Sequence, residues 1–417
     1  MLRHLELKIN LQMSLFNSII ILIVLEGLFN TDTYSLNNFI GQFSFILLNI
    51  IFIVMGIFSF IKKINYISLS FFFFLLITVF SAIINQSDLF TTLEFILRYG
   101  KIYFVCLTGY YFLNRLSLAD IYSPISTLNI FNFITNTFFF FQINILPNKW
   151  IGTLDFATGI MGDALYQCFF SLIVASISLG IIFKNKSRFS LKYILFNLFT
   201  ALVQIVWSNS FHLYLIIIIA FSITIFLTTN LIKSIRIIIP ILLIILVLFR
   251  YSDSNFYQNS IITLANSSPK ISSYRDTFSG YYQTNFQKFI GVGPGKGGSY
   301  IAIKNQSFVA ENYFSIYDYF TDKLRRGSIT TLPNTAITTL QSELGYLGLL
   351  NYFLLFLFII RNLSSKIFDN KSLSKISLFI ILIFFLENVL ADYLQHSIFP
   401  ILTFLLAGIV LGKKKND

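Results

Sequence analysis

The sequence predicts an all-α polytopic membrane protein with about twelve transmembrane helices and one large outer loop that contains short helices. Three observations predict this class. First, 56% of the 417 residues are hydrophobic and only 12% are charged, whereas a soluble domain carries about 25% charged residues. Second, apolar runs long enough to cross a bilayer recur along the chain. Third, lysine and arginine are concentrated in alternate connecting segments, which is the pattern of the positive-inside rule.

The apolar runs define twelve candidate spans, each of roughly 20 mostly apolar residues. The fifth span, which is rich in Asn and Thr, and the short eleventh span carry the weakest signal. No soluble domain or internal repeat is visible, so residues 1–417 are expected to form a single membrane domain. The charged start lacks an obvious small-residue cleavage site, which favours an uncleaved first helix over a signal peptide. The predicted spans are 12–30, 37–61, 66–84, 90–113, 121–146, 163–183, 190–207, 210–229, 235–250, 336–360, 376–392 and 397–412.

The basic residues predict that both termini lie in the cytoplasm. With the N-terminus inside, eighteen of the 30 lysines and arginines fall in cytoplasmic segments, whereas the short outer loops hold only Lys149. This distribution accounts for much of the formal net charge of +12. Nucleic acid is therefore not an expected partner, although a soluble protein of this charge would suggest one.

One polar segment, residues 251–335, interrupts the series of spans between the ninth and the tenth and is predicted to lie outside. It is rich in glycine and tyrosine and has a net charge of +3. A loop of this length in a compact protein is usually functional. Tyrosine rings suit sugar rings, and the basic residues among them suit phosphate. An ordinary solvated loop with tyrosines at the membrane interface would have the same composition, so both interpretations stay open.

Two cations lie inside the fourth span. A cation in a span costs a few kcal/mol and needs an internal partner or a water-filled cavity. Arg98 has such a partner in Glu94, one helical turn earlier, whereas Lys101 has none nearby in the sequence. One interpretation is a cationic lining for an anionic head group near the outer leaflet, and the other is a structural Glu94–Arg98 pair. No group of His, Cys, Asp and Glu has the spacing of metal ligands, so no metal or other cofactor is expected.

A glycine-rich segment lies in the predicted outer loop at residues 291–298. It lacks the GxxxxGK[ST] spacing of a phosphate-binding loop, and its predicted side of the membrane holds no ATP. Gly291, Gly293 and Gly295 are instead expected to let the backbone approach a ligand or turn sharply.

Three segments form an ordered set of motifs. The first is FATGIMGDA at residues 156–164, before the sixth span. The second is Tyr274-Arg275-Asp276, followed by GVGPG at residues 291–295. The third begins at the end of the outer loop and comprises Asn334, Thr335, Leu340, Glu343, Gly345 and Gly348. In this order, and with the long loop and the twelve predicted spans, the chain resembles the bacterial O-antigen polymerase and O-antigen ligase superfamily (Wzy and WaaL types).

The sequence departs from the superfamily pattern at three places. Ala164 and Leu165 stand where Pro-Asn is common, and Asn334 stands where ligases carry a histidine. Phe211 occupies the position of an arginine that often begins an outer helix, with His212 beside it as a candidate substitute. The missing ligase histidine favours polymerisation over ligation.

The resemblance implies a GT-C-like enzyme of the bacterial inner membrane that polymerises O-antigen or capsule. Its substrates would be oligosaccharide units on undecaprenyl diphosphate, and a chain-length regulator protein is an implied partner beside the lipid bilayer. The alternatives are an O-antigen ligase and, in a different class, a lipid-linked oligosaccharide flippase; a flippase would be expected to show two pseudo-symmetric halves.

The resemblance also implies roles for individual residues. Arg275 would clamp the diphosphate, and Glu343 would be either the base or a capping residue at the entry to the tenth span. The full set of expected catalytic residues is Arg275, Glu343 and Asn334, and the expected substrate-binding residues are Arg98, Lys101, Tyr281, Tyr282, Gly291, Gly293, Gly295 and His212.

Overall fold

In the part of the chain that the structure describes, all regular secondary structure is helical. The computed structural model describes residues 2–29, 35–62, 64–145, 164–184, 189–207, 211–229, 269–279, 284–299, 301–302, 305, 307, 335–368, 371–390, 392, 394 and 398–413. The helices are α1 (Leu2–Phe29), α2 (Ser35–Lys62), α3 (Tyr66–Ile84), α4 (Leu89–Phe112), α5 (Leu118–Ile145), α6 (Ala164–Phe183), α7 (Leu191–Trp207), α8 (Phe211–Thr228), α9 (Pro269–Ser279), α10 (Asn285–Ile290), α11 (Ala336–Ser365), α12 (Lys371–Leu390) and α13 (Ile398–Gly412). A short 3-10 turn, Lys366–Phe368, follows α11.

The described helices fit a multi-pass membrane protein. By length and composition, five of them can cross a membrane, namely α1, α2, α3, α11 and α12. The shorter helices α6, α7, α8 and α13 are also apolar. Every predicted span except the ninth, 235–250, coincides with a described helix, and the ninth lies outside the described residues. The count of twelve membrane-crossing helices stays a prediction.

Some helices extend beyond the apolar runs that predicted them. α1 begins at Leu2 rather than near residue 12, and α11 continues to Ser365 rather than ending near residue 360. The reason is physical, since hydropathy marks the depth of the bilayer whereas backbone hydrogen bonding marks the ends of a helix. Lysine, arginine and glutamate are good helix formers, so a helix continues into the charged flank of a span.

α4 lies at the centre of the helix bundle and packs against α2, α3 and α13. Its contact with α13 brings the two backbones together at glycines. A Cβ atom on Gly109 would lie 2.5 Å from the Leu405 carbonyl oxygen, and one on Gly408 would lie 2.2 Å from the Cys106 carbonyl oxygen. Small residues at a helix interface allow this close approach. Close packing of this kind commonly holds membrane helices together, because the hydrophobic effect does not drive helices together in lipid.

A seam of buried amide and hydroxyl groups holds α5, α6 and α7 together. We call the side chains of Asn129, Gln167, Ser171, Thr200 and Gln204 the amide seam; all five are fully buried. Asn129 Nδ2 donates to Thr200 Oγ1 at 2.6 Å, and Ser171 Oγ donates to Gln204 Oε1 at 2.5 Å. Gln167 Nε2 donates to Ser171 Oγ at 3.3 Å. Asn129 is therefore one of the polar residues that weaken the apolar signal of the fifth predicted span, and its side chain faces other helices.

We expect Asn129→Ala to lower the thermal stability of the purified protein modestly, by about 1 kcal/mol. The reason is that interhelical hydrogen bonds in membranes contribute about 0.6 to 1.7 kcal/mol each. The matched control is Thr135→Ala on the same helix, because the Thr135 hydroxyl donates to Phe131 O of α5 itself, at 2.9 Å. Apparent melting temperatures in detergent check this, and equal values for the two variants would contradict it.

Candidate functional site

The N-terminal end of α11 is the point at which the predicted motifs meet. The helix begins at a capping box in which Thr335 Oγ1 accepts from the Thr338 N–H and the Thr338 hydroxyl accepts from the Thr335 N–H. Its regular geometry is broken at Gly345, where φ is +65° and ψ is −165°. Residues 336–345 are all buried. The first turns of α11 therefore form a separate buried segment that the rest of the site packs around.

The carboxylate of Glu343 is enclosed by backbone N–H groups of the glycine-rich segment. Gly295 N donates to Oε2 at 2.6 Å, and Gly297 N and Ser299 N donate to Oε1 at 3.2 and 2.8 Å. Next to it, Gly298 N donates to Ser342 Oγ at 3.1 Å. We call Glu343 and the backbone of residues 295–299 the Glu343 nest. Several backbone N–H groups that converge on one anionic group form a strong, charge-assisted site.

The same two segments also interlock through their backbones. Val292 N donates to Ser342 O at 2.9 Å, and Gly293 N donates to Glu343 O at 3.2 Å. A Cβ atom on Gly291 would lie 2.0 Å from Glu343 O, and one on Gly345 would lie 2.3 Å from the carbonyl carbon of Phe289. Both glycines have positive φ values, +79° and +65°. We call this contact the glycine interlock. It leaves no room for a side chain at Gly291 or at Gly345.

The glycine-rich segment is also fixed to the turn between α3 and α4. Asn85 Nδ2 donates to Gly291 O at 3.1 Å, and Gln287 Nε2 donates to Asn85 Oδ1 at 2.9 Å. Lys296 Nζ donates to the carbonyl oxygens of Asn85 and Gln86, which end α3. Partial burial lowers the pKa of the Lys296 ammonium. This lysine therefore caps a helix, and its charge is directed at backbone carbonyls.

Helix α9 is fixed against the start of α11 through hydrogen bonds that include those of one tyrosine. Tyr274 OH donates to Val389 O of α12 at 2.6 Å and accepts from Thr335 Oγ1 at 3.2 Å. Burial raises the pKa of the Tyr274 hydroxyl. Arg275, the next residue, has an exposed side chain. The expected diphosphate clamp therefore lies on a helix whose position beside α11 is fixed.

The charges of α4 divide into two groups. Arg98 Nε and Nη2 both donate to Glu94 Oε1, at 3.0 and 2.9 Å, so the pair expected from the sequence is formed. Both side chains are partly exposed. Lys101 is 2% exposed and lies 5.7 Å from the centre of the Phe45 ring.

Lys101 has two acidic neighbours that the sequence analysis did not pair with it. Glu26 of α1 and Asp392, just after α12, both attract its positive charge. Asp392 Oδ2 accepts from Tyr99 OH at 2.5 Å, and all four side chains are buried. We call these residues the Lys101 cluster. The signal that could have found it is the occurrence of single acids, Glu26 and Asp392, at the ends of apolar runs.

No family model matches the chain, and no curated protein is significantly similar to it. Function is therefore inferred from the motifs and from the geometry of the described residues. Within those residues, no three His, Cys, Asp or Glu side chains are grouped so that they could hold a metal ion.

The predicted site residues fall into three groups. Glu343, Gly291, Gly293 and Gly295 meet in the nest and the interlock, beside the helix that carries Arg275. Arg98 and Lys101 both lie on α4, where Arg98 pairs with Glu94 and Lys101 belongs to the Lys101 cluster. The predictions for Asn334, Tyr281 and Tyr282 lie outside the described residues, and so does the side chain of His212, whose backbone belongs to the first turn of α8.

Proposed function

We propose that the protein is a polysaccharide polymerase that transfers a growing O-antigen or capsule glycan from undecaprenyl diphosphate to a new lipid-linked repeat unit. The reaction would occur at the outer face of the bacterial inner membrane, in a GT-C-like domain of about twelve spans with both termini in the cytoplasm. One observation carries the proposal. The GVGPG motif and the Glu343-Gly345 motif, which are far apart in the sequence, lock together backbone to backbone.

The position of Arg275 supports the same reaction. α9 packs against the start of α11, and the N-terminus of a helix carries a partial positive charge that favours anions. The exposed guanidinium of Arg275 on this helix suits a diphosphate, which it can bind with two parallel hydrogen bonds. We therefore assign the diphosphate clamp to Arg275, with Arg98 as a second cation.

Lys101 fits a structural role better than substrate binding. It is buried, and the charges of Glu26 and Asp392 offset its own. Tyr281 and Tyr282 remain proposed stacking surfaces for sugars, and Asn334 and His212 remain proposed polar contacts. Gly291, Gly293 and Gly295 belong to the segment that forms the interlock. They would therefore contribute to substrate binding by fixing the position of the outer loop.

The proposed chemistry needs no nucleotide. The acceptor hydroxyl oxygen bonds to the anomeric carbon while the bond between that carbon and the diphosphate oxygen breaks. The electron pair leaves with undecaprenyl diphosphate, and a base takes the hydroxyl proton. The protein holds the diphosphate and orients the acceptor, which accounts for much of the rate gain in reactions of this kind.

Glu343 fits an anchor better than a base. Its two carboxylate oxygens accept three backbone N–H bonds and are fully buried. A general base must come within hydrogen-bond reach of the proton that it removes. We therefore propose that Glu343 holds the outer loop on α11.

The test of the proposed function uses the purified full-length protein and lipid-linked repeat units. Ladders of glycan chains are expected. Transfer of glycan to lipid A core would instead identify a ligase. Lipid translocation in liposomes without any glycosyl transfer would identify a flippase, and either of these two results would overturn the polymerase proposal.

We expect Arg275→Ala to slow ladder formation about 10- to 100-fold, because hydrogen bonds to a charged partner contribute about 1.5–3 kcal/mol and each 1.36 kcal/mol changes a rate tenfold. Arg361→Ala is the matched control, since Arg361 is exposed near the other end of α11. Melting temperatures of both variants show whether folding is unchanged. Ladder formation by Arg275→Ala at the rate of the control would remove the clamp role.

A further inference from the structure

Helix α10 exposes two aromatic rings on one side. It begins at a capping box formed by Thr284 and Gln287 and ends at Gly291. Phe286 and Phe289 are 54% and 57% exposed, whereas Ile290 is buried. Residues three apart in a helix share a face, so the two rings point the same way. Two large apolar rings exposed on one face of a six-residue helix mark a surface that contacts something apolar outside the protein.

The exposed face of α10 is continuous with an apolar stripe on α11. The Phe289 ring lies 6.1 Å from the ring of Tyr346, in an edge-to-face arrangement. From Tyr346 onward, α11 exposes a row of apolar residues at helical spacing, and the end of α3 beside α10 does the same. The exposed residues are Leu347, Leu350, Leu354 and Leu357 on α11, and Val79, Phe80 and Ile83 on α3. Both helices can cross a membrane, so this surface is the one that lipid chains contact.

The length of α11 fixes the depth of α10. Residues 346–365 are 20 residues, which at 1.5 Å per residue span about 30 Å, the thickness of the hydrocarbon core. Lys366 directly follows this stretch and marks its inner boundary, since cations favour the cytoplasmic interface. Tyr346 therefore lies at the outer boundary, where tyrosine is enriched in membrane proteins. The buried first turns of α11, before the break at Gly345, extend beyond that boundary.

The glycine interlock prevents α10 from leaving this depth. The backbone at Phe289 packs directly on Gly345, and the backbone at Gly291 packs on Glu343. Lys288 stands between the two phenylalanines in sequence, in the last turn of the helix. Phenylalanine with lysine is typical of helices that lie in the plane of an interface, with rings among acyl chains and cations at head groups.

We propose that α10 is a membrane-embedded interfacial helix, whose Phe286 and Phe289 rings insert into the outer leaflet and whose Lys288 lies at the phosphates of the phospholipid head groups. The occupant of this surface is bilayer phospholipid. Part of the predicted outer loop is thus lipid-bound rather than solvated. The inference is independent of polymerase activity, because it rests on exposure, helix length, packing and the orientation predicted from the basic residues.

Tryptophan fluorescence tests the proposal in the full chain. Phe289→Trp is made in a background in which Trp150 and Trp207, the two native tryptophans, are replaced by phenylalanine. The protein is reconstituted into phosphatidylcholine vesicles that carry bromine near the head group or near the chain ends. We expect the shallow brominated lipid to quench the fluorescence of Phe289→Trp more strongly than the deep one, and aqueous iodide to quench it little.

Two matched controls set the scale. Leu354→Trp, lower on the α11 stripe, should be quenched most by the deep brominated lipid. Phe278→Trp lies on α9 beside the start of α11, beyond the boundary at Tyr346, and Phe278 is 41% exposed. This control should be quenched by iodide. Quenching of Phe289→Trp by iodide alone would mean that the helix lies in water, and protection from both quenchers would mean that protein covers it; either result overturns the proposal.

A second measurement avoids the tryptophan-free background. Phe286→Cys is spin-labelled in the otherwise native chain, whose two cysteines, Cys106 and Cys168, are buried. Oxygen collects in the bilayer and water-soluble nickel chelates do not, so the ratio of their relaxation effects gives the depth of the label. We expect oxygen to dominate at Phe286→Cys, whereas a dominant nickel effect would overturn the proposal.

Discussion

Gly345→Ala is expected to abolish most of the folded protein. The backbone of Gly345 has a φ of +65° and a ψ of −165°, a region that residues with a side chain almost never occupy. The strain alone costs about 1–3 kcal/mol. In addition, the new Cβ would lie 2.3 Å from the carbonyl carbon of Phe289, and backbone atoms in the interlock have no room to move. The measurement is the monodisperse fraction in detergent by size-exclusion chromatography, with the melting temperature of any protein recovered.

The matched control is Gly100→Ala in α4. This glycine is also buried, but it has helical geometry, and its Cβ would lie 3.3 Å from Cε1 of the Phe74 ring, a side chain that can shift slightly. Alanine is also the better helix former, by about 1 kcal/mol. We expect wild-type yield from this control. Equal yields from the two variants would mean that the interlock is not required for folding.

Glu343→Gln is expected to destabilise the protein by about 1–3 kcal/mol, although the two side chains have the same shape. The carboxylate accepts N–H bonds from Gly295, Gly297 and Ser299. The glutamine NH₂ group would face N–H donors and leave at least one of them unpaired in a buried site. The melting temperature in detergent and limited proteolysis of the outer loop measure this loss.

Asp88→Asn is the matched carboxylate-to-amide change. Asp88 accepts from the Thr91 N–H at 3.0 Å as the N-cap of α4, and hydrogen bonds from this first turn, chiefly that of Thr91, lower the pKa of its carboxyl group. Asparagine caps helices as well as aspartate does, so this variant should behave as wild type. Wild-type stability of Glu343→Gln with a loss of glycan ladders would instead support the role of base that the sequence suggested.

Helix positions could be predicted because each lipid-facing backbone must satisfy its own hydrogen bonds, so long apolar runs form helices. The amide seam shows the limit of hydropathy. Asn129 weakens the apolar signal of α5, yet its side chain is buried between helices. The glycine interlock could not be predicted. The spacing of Gly291 and Gly293 indicated a tight turn, but the partner backbone at Glu343 is set by tertiary packing.

The charged residues show the same limit. The pair of Glu94 and Arg98 follows from helical spacing, and it is formed. Glu26 and Asp392, which balance Lys101, lie on other segments that local spacing cannot relate to it. Glu343 was recognised from its motif, whereas its three backbone donors belong to a distant segment.

The contact between α4 and α13 imposes an order on the assembly of the protein during synthesis. α4 is made early, and the glycine faces at Gly109 and Gly408 can meet only after α13, the last described helix, leaves the ribosome. The residues of the interlock, Gly291 and Gly345, are made before α13. The outer site can therefore form while the centre of the bundle is still open, and synthesis of α13 is the event that allows the core to close around α4.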